Sequence, residues 1–125
     1  MAIIDKPSDY FNTNLHTGTG SSQSITGVGF QPDMVWNKVR STSNNHIICD
    51  SVRGVTKLVY PDLGTAEQTE SNSITSFNSD GWTGGGSGNT NGSSQTFVSW
   101  NWKAGTSVSG NTTGSGTSKS YTGSV

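Results

Sequence analysis

Apolar residues in this chain recur at alternate positions in short runs, broken by clusters of Gly, Ser, Thr and Asn. They almost never show the three- and four-residue spacing of a helix, so the pattern predicts strands. "YFNTNLHT" (Tyr10 to Thr17) sets Phe11, Thr13 and Leu15 against Tyr10, Asn12 and Asn14. "QSITGVGF" gives a shorter strand ahead of Pro32, a residue that borders strands rather than sitting inside central ones. "DMVWNKVR" places Met34, Trp36, Lys38 and Arg40 on one side and Val35, Asn37 and Val39 on the other. "HIICDSVR" is the most continuously apolar strand. "SITSFNSDGWTGGG" reads as a strand, an Asp80-Gly81 turn and a return strand through Trp82. A glycine-rich loop, residues 84–92, leads to the last strong strand, "SQTFVSWNWKA". Between them "LGTAEQTES" (Leu63 to Ser71) has no apolar stripe and reads as a solvated loop with at most one short turn.

Many short strands with turn clusters between them predict an all-β fold, an antiparallel β-sandwich of jelly-roll or concanavalin-like form. The expected organisation is an N-terminal arm at 1–9, a sandwich domain at 10–105 and a Gly/Ser/Thr-rich segment at 106–125. That last segment reads as a linker or a flexible or extended arm.

The run "FVSWNWKAG" raises the question of which row of the last strand is buried. Residues two apart on a strand share a face, so Val98, Trp100, Trp102 and Ala104 form one row and Phe97, Ser99, Asn101 and Lys103 the other. The indole row is the more apolar. Hydrophobic residues make up only 28% of the chain and four tryptophans carry much of that area. One tryptophan can bury ~200 Å², at about 25 cal/mol per Å². The expected core is therefore Trp36, Phe97, Val98, Trp100 and Trp102, with Trp82 left beside the turn as the exposed stacking residue.

Composition narrows the function. The 21 Ser, 17 Thr, 17 Gly and 11 Asn make up just over half of 125 residues, and the net charge is only −1. That low charge and the patterned aromatics argue for a thin-cored fold over disorder. With no clustered Lys or Arg, nucleic acid is not an expected partner. Cys49 is alone, so no internal disulfide forms, and a buried small hydrophobe is its expected role. No apolar stretch approaches the ~20 residues of a membrane span, so membrane insertion is not expected. The start "MAIIDKPSDY" does not read as a secretion signal.

Catalytic and metal chemistry find little support. His16 and His46 have no neighbour at a ligand spacing, "NSDG" lacks the glutamate of a calcium loop, and the glycine loops lack the lysine of a phosphate loop. No G-x-S-x-G elbow occurs among the many serines. Of the acids only Asp33 and Asp50 sit near strands that could be neighbours, and an Asp50–Arg53 contact anchoring "CDSVRG" is the better reading. Neither catalytic residues nor a cofactor or metal are expected. The candidate glycan contacts are Trp82, Asn89, Asn91, Lys38 and Arg40, an aromatic face with amides and cations around the glycine-rich rim.

Taken in order, "YFNTNLHTGTGSSQSITGVGFQPDMVWNKVRS", "CDSVRGVTKLV", "SITSFNSDGWTGG" and "TFVSWNWKAG" resemble a domain that recurs in tail-fibre-like and other virion proteins of marine bacteriophages, including cyanophages. The resemblance spans about Tyr10 to Gly105 and departs at Asn37, where the pattern usually shows an apolar residue. It implies a β-sandwich on a virion surface, made in the host cytoplasm and released by lysis, with no functional residue to transfer. The leading expectation is a non-enzymatic structural protein of a phage particle, a tail fibre, appendage or capsid-decorating module. It would associate with its own copies and other virion proteins, and contact host-surface glycans. A lectin-like receptor-binding module is the alternative, and a glycan depolymerase, lacking an acid pair, comes last.

Overall fold

A computed structural model of the chain describes residues 6–104, and within them the fold is an all-β antiparallel sandwich. Residues 1–5 and 105–125, including the segment expected to be a linker or arm, lie outside the described residues. A 3-10 turn at Pro7–Asp9 precedes nine strands, and no helix among the described residues is long and apolar enough to cross a membrane. The strands are β1 Phe11–Thr17, β2 Gln23–Ile25, β3 Met34–Val39, β4 Ile47–Asp50, β5 Lys57–Leu58, β6 Gln68–Thr69, β7 Ile74–Asn78, β8 Gly81–Gly84 and β9 Thr96–Trp102. One sheet has the order β1-β9-β3-β4 and a second β2-β8-β7, while β5 and β6 form a small ribbon. The loop expected at Leu63 to Ser71 therefore contributes one short strand, β6.

The hairpin predicted around "NSDG" forms, with its turn one residue earlier than expected. Ser79 and Asp80 make the turn, and Gly81 already pairs with Asn78. Gly81 has φ 147°, and a Cβ there would overlap the Ile25 carbonyl oxygen on the neighbouring strand. Only glycine lets β2 and β8 approach at that point. Asp80 then ties the hairpin to the preceding loop, accepting from Gly27 N at 3.0 Å and Gly29 N at 2.7 Å. These two backbone donors hold its carboxyl below the usual carboxylate range.

The core lies between the two larger sheets. Val35, Ile47 and Cys49 from one meet Ile25, Ile74 and Trp82 from the other, with Leu58 and Tyr60 closing the side. Cys49 is buried as expected; its Sγ donates to Gly54 O at 3.6 Å. Burial, with the charge of Asp50 beside it, pushes the thiol up to about 11.

The faces of β9 are the reverse of the sequence expectation. Phe97, Ser99 and Asn101 are buried, whereas Val98, Trp100 and Trp102 turn to the outside and are half-buried. Trp36 likewise faces out on β3, between buried Val35 and Asn37. Of the expected core set Trp36, Phe97, Val98, Trp100 and Trp102, only Phe97 is interior. Trp82, expected on the surface, is completely buried. The reason is volume. Trp82 fills the space between the sheets, so the strands opposite it must offer small or flat groups. The inward positions of the four-stranded sheet include Asn12, Asn14 and His16 on β1, Ser99 and Asn101 on β9, and Asn37 on β3, brought side by side by the registers Asn14↔Ser99↔Asn37 and Asn12↔Asn101. His16 meets the edge of Trp82, with 5.6 Å between ring centroids.

The NH2 groups of the inward-facing amides find backbone carbonyls, while Oδ1 of Asn37 and of Asn101 is buried without a partner among the described residues. Asn12 Nδ2 donates to Val28 O at 3.0 Å and Asn14 Nδ2 to Thr26 O at 2.8 Å. Asn37 Nδ2 reaches Asn89 O at 3.0 Å, and Asn101 Nδ2 reaches Asn12 O at 3.1 Å. Asn37, the position at which an apolar residue was expected, thus ties β3 to the glycine-rich loop.

Candidate functional site

Turning the indoles outward creates an apolar wall on the solvent side of the four-stranded sheet. Register builds it row by row. Phe11, Trp102 and Met34 lie side by side in one row, Thr13, Trp100, Trp36 and Ile48 in the next, and Leu15, Val98 and Lys38 in a third. The rings touch one another. Phe11 and Trp102 have centroids 5.0 Å apart, and Trp36 meets Trp100 edge to face at 5.9 Å and 67°. Such tilted contacts are the favoured geometry of aromatic pairs. Trp36, Trp100 and Trp102 line a shallow, open hollow of about 260 Å³ whose walls are entirely carbon.

Trp36 is also the partition to a second hollow, of about 200 Å³, completed by His46, Pro61 and Asp62. Trp36 Nε1 donates to His46 Nδ1 at 3.0 Å, which leaves His46 Nε2 protonated in the neutral ring. The His46 backbone N–H donates to Asp62 Oδ2 at 3.3 Å, while Asp62 Oδ1 has no partner among the described residues. An aromatic floor therefore grades into a polar end carrying an imidazole donor and a carboxylate acceptor.

The residues proposed from sequence as glycan contacts do not gather there. Trp82 is sealed between the sheets. Asn91 is fully buried, and its amide holds Thr19 N at 3.1 Å and Ser21 O at 2.6 Å. Asn89 gives its carbonyl to Asn37. Arg40 is exposed beyond the end of β3. Lys38 alone shares the tryptophan face, and its Nζ is held by Val39 O at 2.9 Å and Asn44 O at 2.7 Å. His46, Pro61 and Asp62 were missed because only the fold brings the β3–β4 and β5–β6 connections beside Trp36. The alternation of Trp36 with buried Val35 was the one readable hint.

The polar groups elsewhere hold structure. Asp50 accepts from Arg53 Nε at 2.6 Å and from Arg53 N at 2.9 Å, the anchor read from the sequence. Burial raises the Asp50 carboxyl, but the Arg53 backbone and guanidinium outweigh it and hold the group below its ordinary value. Asp33 is occupied by Ser51 Oγ at 3.1 Å and Ala104 N at 2.7 Å. Tyr60 donates to Glu70, whose other oxygen takes Ser87 Oγ at 3.1 Å; burial and that carboxylate push the phenol up to about 12. Among the described residues no three His, Cys, Asp or Glu side chains gather as metal ligands.

Residues 6–123 match a family described as a domain of unknown function (DUF7483), and the chain belongs to that family. No curated protein and no solved structure matches it.

Proposed function

We propose that this member of the DUF7483 family is a non-enzymatic structural module of a bacteriophage particle, a tail-fibre, appendage or head-decorating unit that meets host-surface glycans through its tryptophan face. The observation that carries the glycan part is the grouping of Trp36, Trp100 and Trp102 on solvent, continuous with the hollow of His46, Pro61 and Asp62. A sugar presents C–H groups on its ring faces and hydroxyls at its rim. An indole floor beside an imidazole N–H and a free carboxylate oxygen answers both. The particle context rests on the four segments between Tyr10 and Gly105 that resemble virion proteins.

Two measurements test the reading. Purified particles analysed by mass spectrometry should contain this chain in many copies. On a glycan array or in calorimetry with host polysaccharide the domain should bind, and Trp36→Ala or Asp62→Ala should reduce affinity at least tenfold. A domain that binds no glycan, or whose Trp36→Ala variant binds like the parent, overturns the glycan reading.

A second reading, docking of another virion protein, is favoured by a different feature. The tryptophan hollow has no polar lining, and its rings are tilted by 67° rather than laid out flat for a sugar chain. Co-purification of a particle protein, lost in Trp100→Ser but kept in Asp62→Ala, would select it.

A further inference from the structure

We infer that β1 is an interface, and that its occupant is β1 of a second copy of this chain, the two edges joining antiparallel into one eight-stranded sheet. β1 is the edge of the four-stranded sheet and, at seven residues, one of its two longest strands. Its pairing with β9 runs from Lys103 N on Tyr10 O to Gly18 N on Gln95 O. That register turns the N–H and C=O groups of Phe11, Thr13, Leu15 and Thr17 away from β9. Among the described residues only one of these groups has a partner, Thr13 N–H, which donates to Asn12 Oδ1 at 3.0 Å.

Edges of this kind are normally blunted by a lysine, a proline, an inward charge or a bulge. "FNTNLHT" contains no charged residue and no proline, and it pairs residue for residue without a shift. The side chains on the same positions are Phe11, 39% exposed, and Leu15, 61% exposed. Unpaired backbone and uncovered apolar side chains thus coincide on one strand.

Self-complementarity selects the occupant. Read about Thr13, the outward positions run Phe11, Thr13, Leu15, apolar-Thr-apolar in either direction. A two-fold axis at Thr13 places Phe11 across from Leu15 twice and Thr13 across from itself, pairs that favour antiparallel strands. Parity is kept, so the outward groups of these three residues face one another and form ~six backbone bonds once Thr13 N–H exchanges Asn12 Oδ1 for the facing strand. An isologous contact of this type closes into a dimer. A net charge of −1 opposes it little, and the joined sheet carries both tryptophan faces on one side. The pairing is independent of what those faces bind.

Sedimentation velocity on the full chain across a micromolar concentration series tests it. The parent is expected to shift from monomer to dimer. Leu15→Lys, which keeps the backbone, should raise the dimer Kd at least tenfold, and Leu15→Pro should remain monomeric with the parent's circular dichroism. If the proline variant fails to fold, the lysine variant decides. Thr13→Cys should yield a disulfide-linked dimer on mild oxidation, Cys49 being buried, whereas Thr17→Cys should not. A parent that stays monomeric, or a Leu15→Lys variant that dimerises like it, overturns the proposal. So does a dimer abolished by Trp100→Ser but untouched by Leu15→Lys, which would run through the aromatic face instead.

Discussion

His16 lies flat against Phe97, with ring centroids 4.8 Å apart and planes 7° from parallel, and the two are directly opposite each other on β1 and β9. Its Nε2 is 3.2 Å from Thr90 O, so the neutral ring carries its proton there. Its Nδ1 is buried without a partner among the described residues. A second proton would have to enter at that atom, where no acceptor meets it.

Stability should therefore fall with acid. Burial lowers the His16 pKa, only partly opposed by the bond to Thr90. Above the unfolded value of about 6.5 both states are neutral and the site adds no pH dependence. As pH drops below 6.5 the unfolded chain takes a proton that the folded chain resists, and stability is lost until the lowered folded value is passed. Urea unfolding at pH 7.5 and pH 5 should show a larger loss for the parent than for His16→Phe. Equal losses would contradict the buried neutral ring.

The exchange of faces separates the tryptophans energetically. Trp82→Ala should cost about 3–5 kcal/mol, the usual consequence of emptying an aromatic core site. Trp100→Ala, which removes a half-buried ring from the outside, should cost only about 1 kcal/mol. Denaturant midpoints measured side by side check the order. Indole fluorescence quenching by iodide should also fall more sharply in Trp100→Ala than in Trp82→Ala.

Much of this fold is readable from alternation, and the limit is equally physical. The hairpin from Phe77 to Trp82 follows from Asp80-Gly81 between patterned runs, and the Asp50–Arg53 anchor from two charges three residues apart. Period-two patterning gives the two rows of β9 but not which is inside. That depends on the opposing sheet, where Trp82 occupies the volume that Trp100 and Trp102 would need. The hollow at His46, Pro61 and Asp62 joins residues of two connections and leaves no mark in either segment.

Asn37 gives a test of the polar interior. Asn37→Ala removes the donor to Asn89 O and Thr90 O and should cost about 1–3 kcal/mol, because buried carbonyls lose a partner. Hydrogen exchange around residues 87–92 should accelerate with it, and an unchanged exchange pattern would mean that the loop is held by other bonds.

Thr56 is the opposite case, a position open to improvement. It has φ 67°, costly for a β-branched residue. Backbone bonds from Thr56 N to Ile74 O and from Glu70 N to Thr56 O impose the conformation. Thr56→Gly should stabilise the fold by about 0.5–1 kcal/mol after glycine's greater unfolded freedom is deducted. A rise in thermal midpoint checks it.

The bond from Lys103 N to Tyr10 O places the two flanks of the domain at one corner, where β1 begins and β9 ends, the two strands extending from it side by side. Tension applied through the flanking chain would load that corner first, the bond from Ala104 N to Asp33 with it, peeling the strands apart in sequence rather than shearing all of them together. Such a body is a weak link when pulled by its flanks and a firm one only when gripped by its faces.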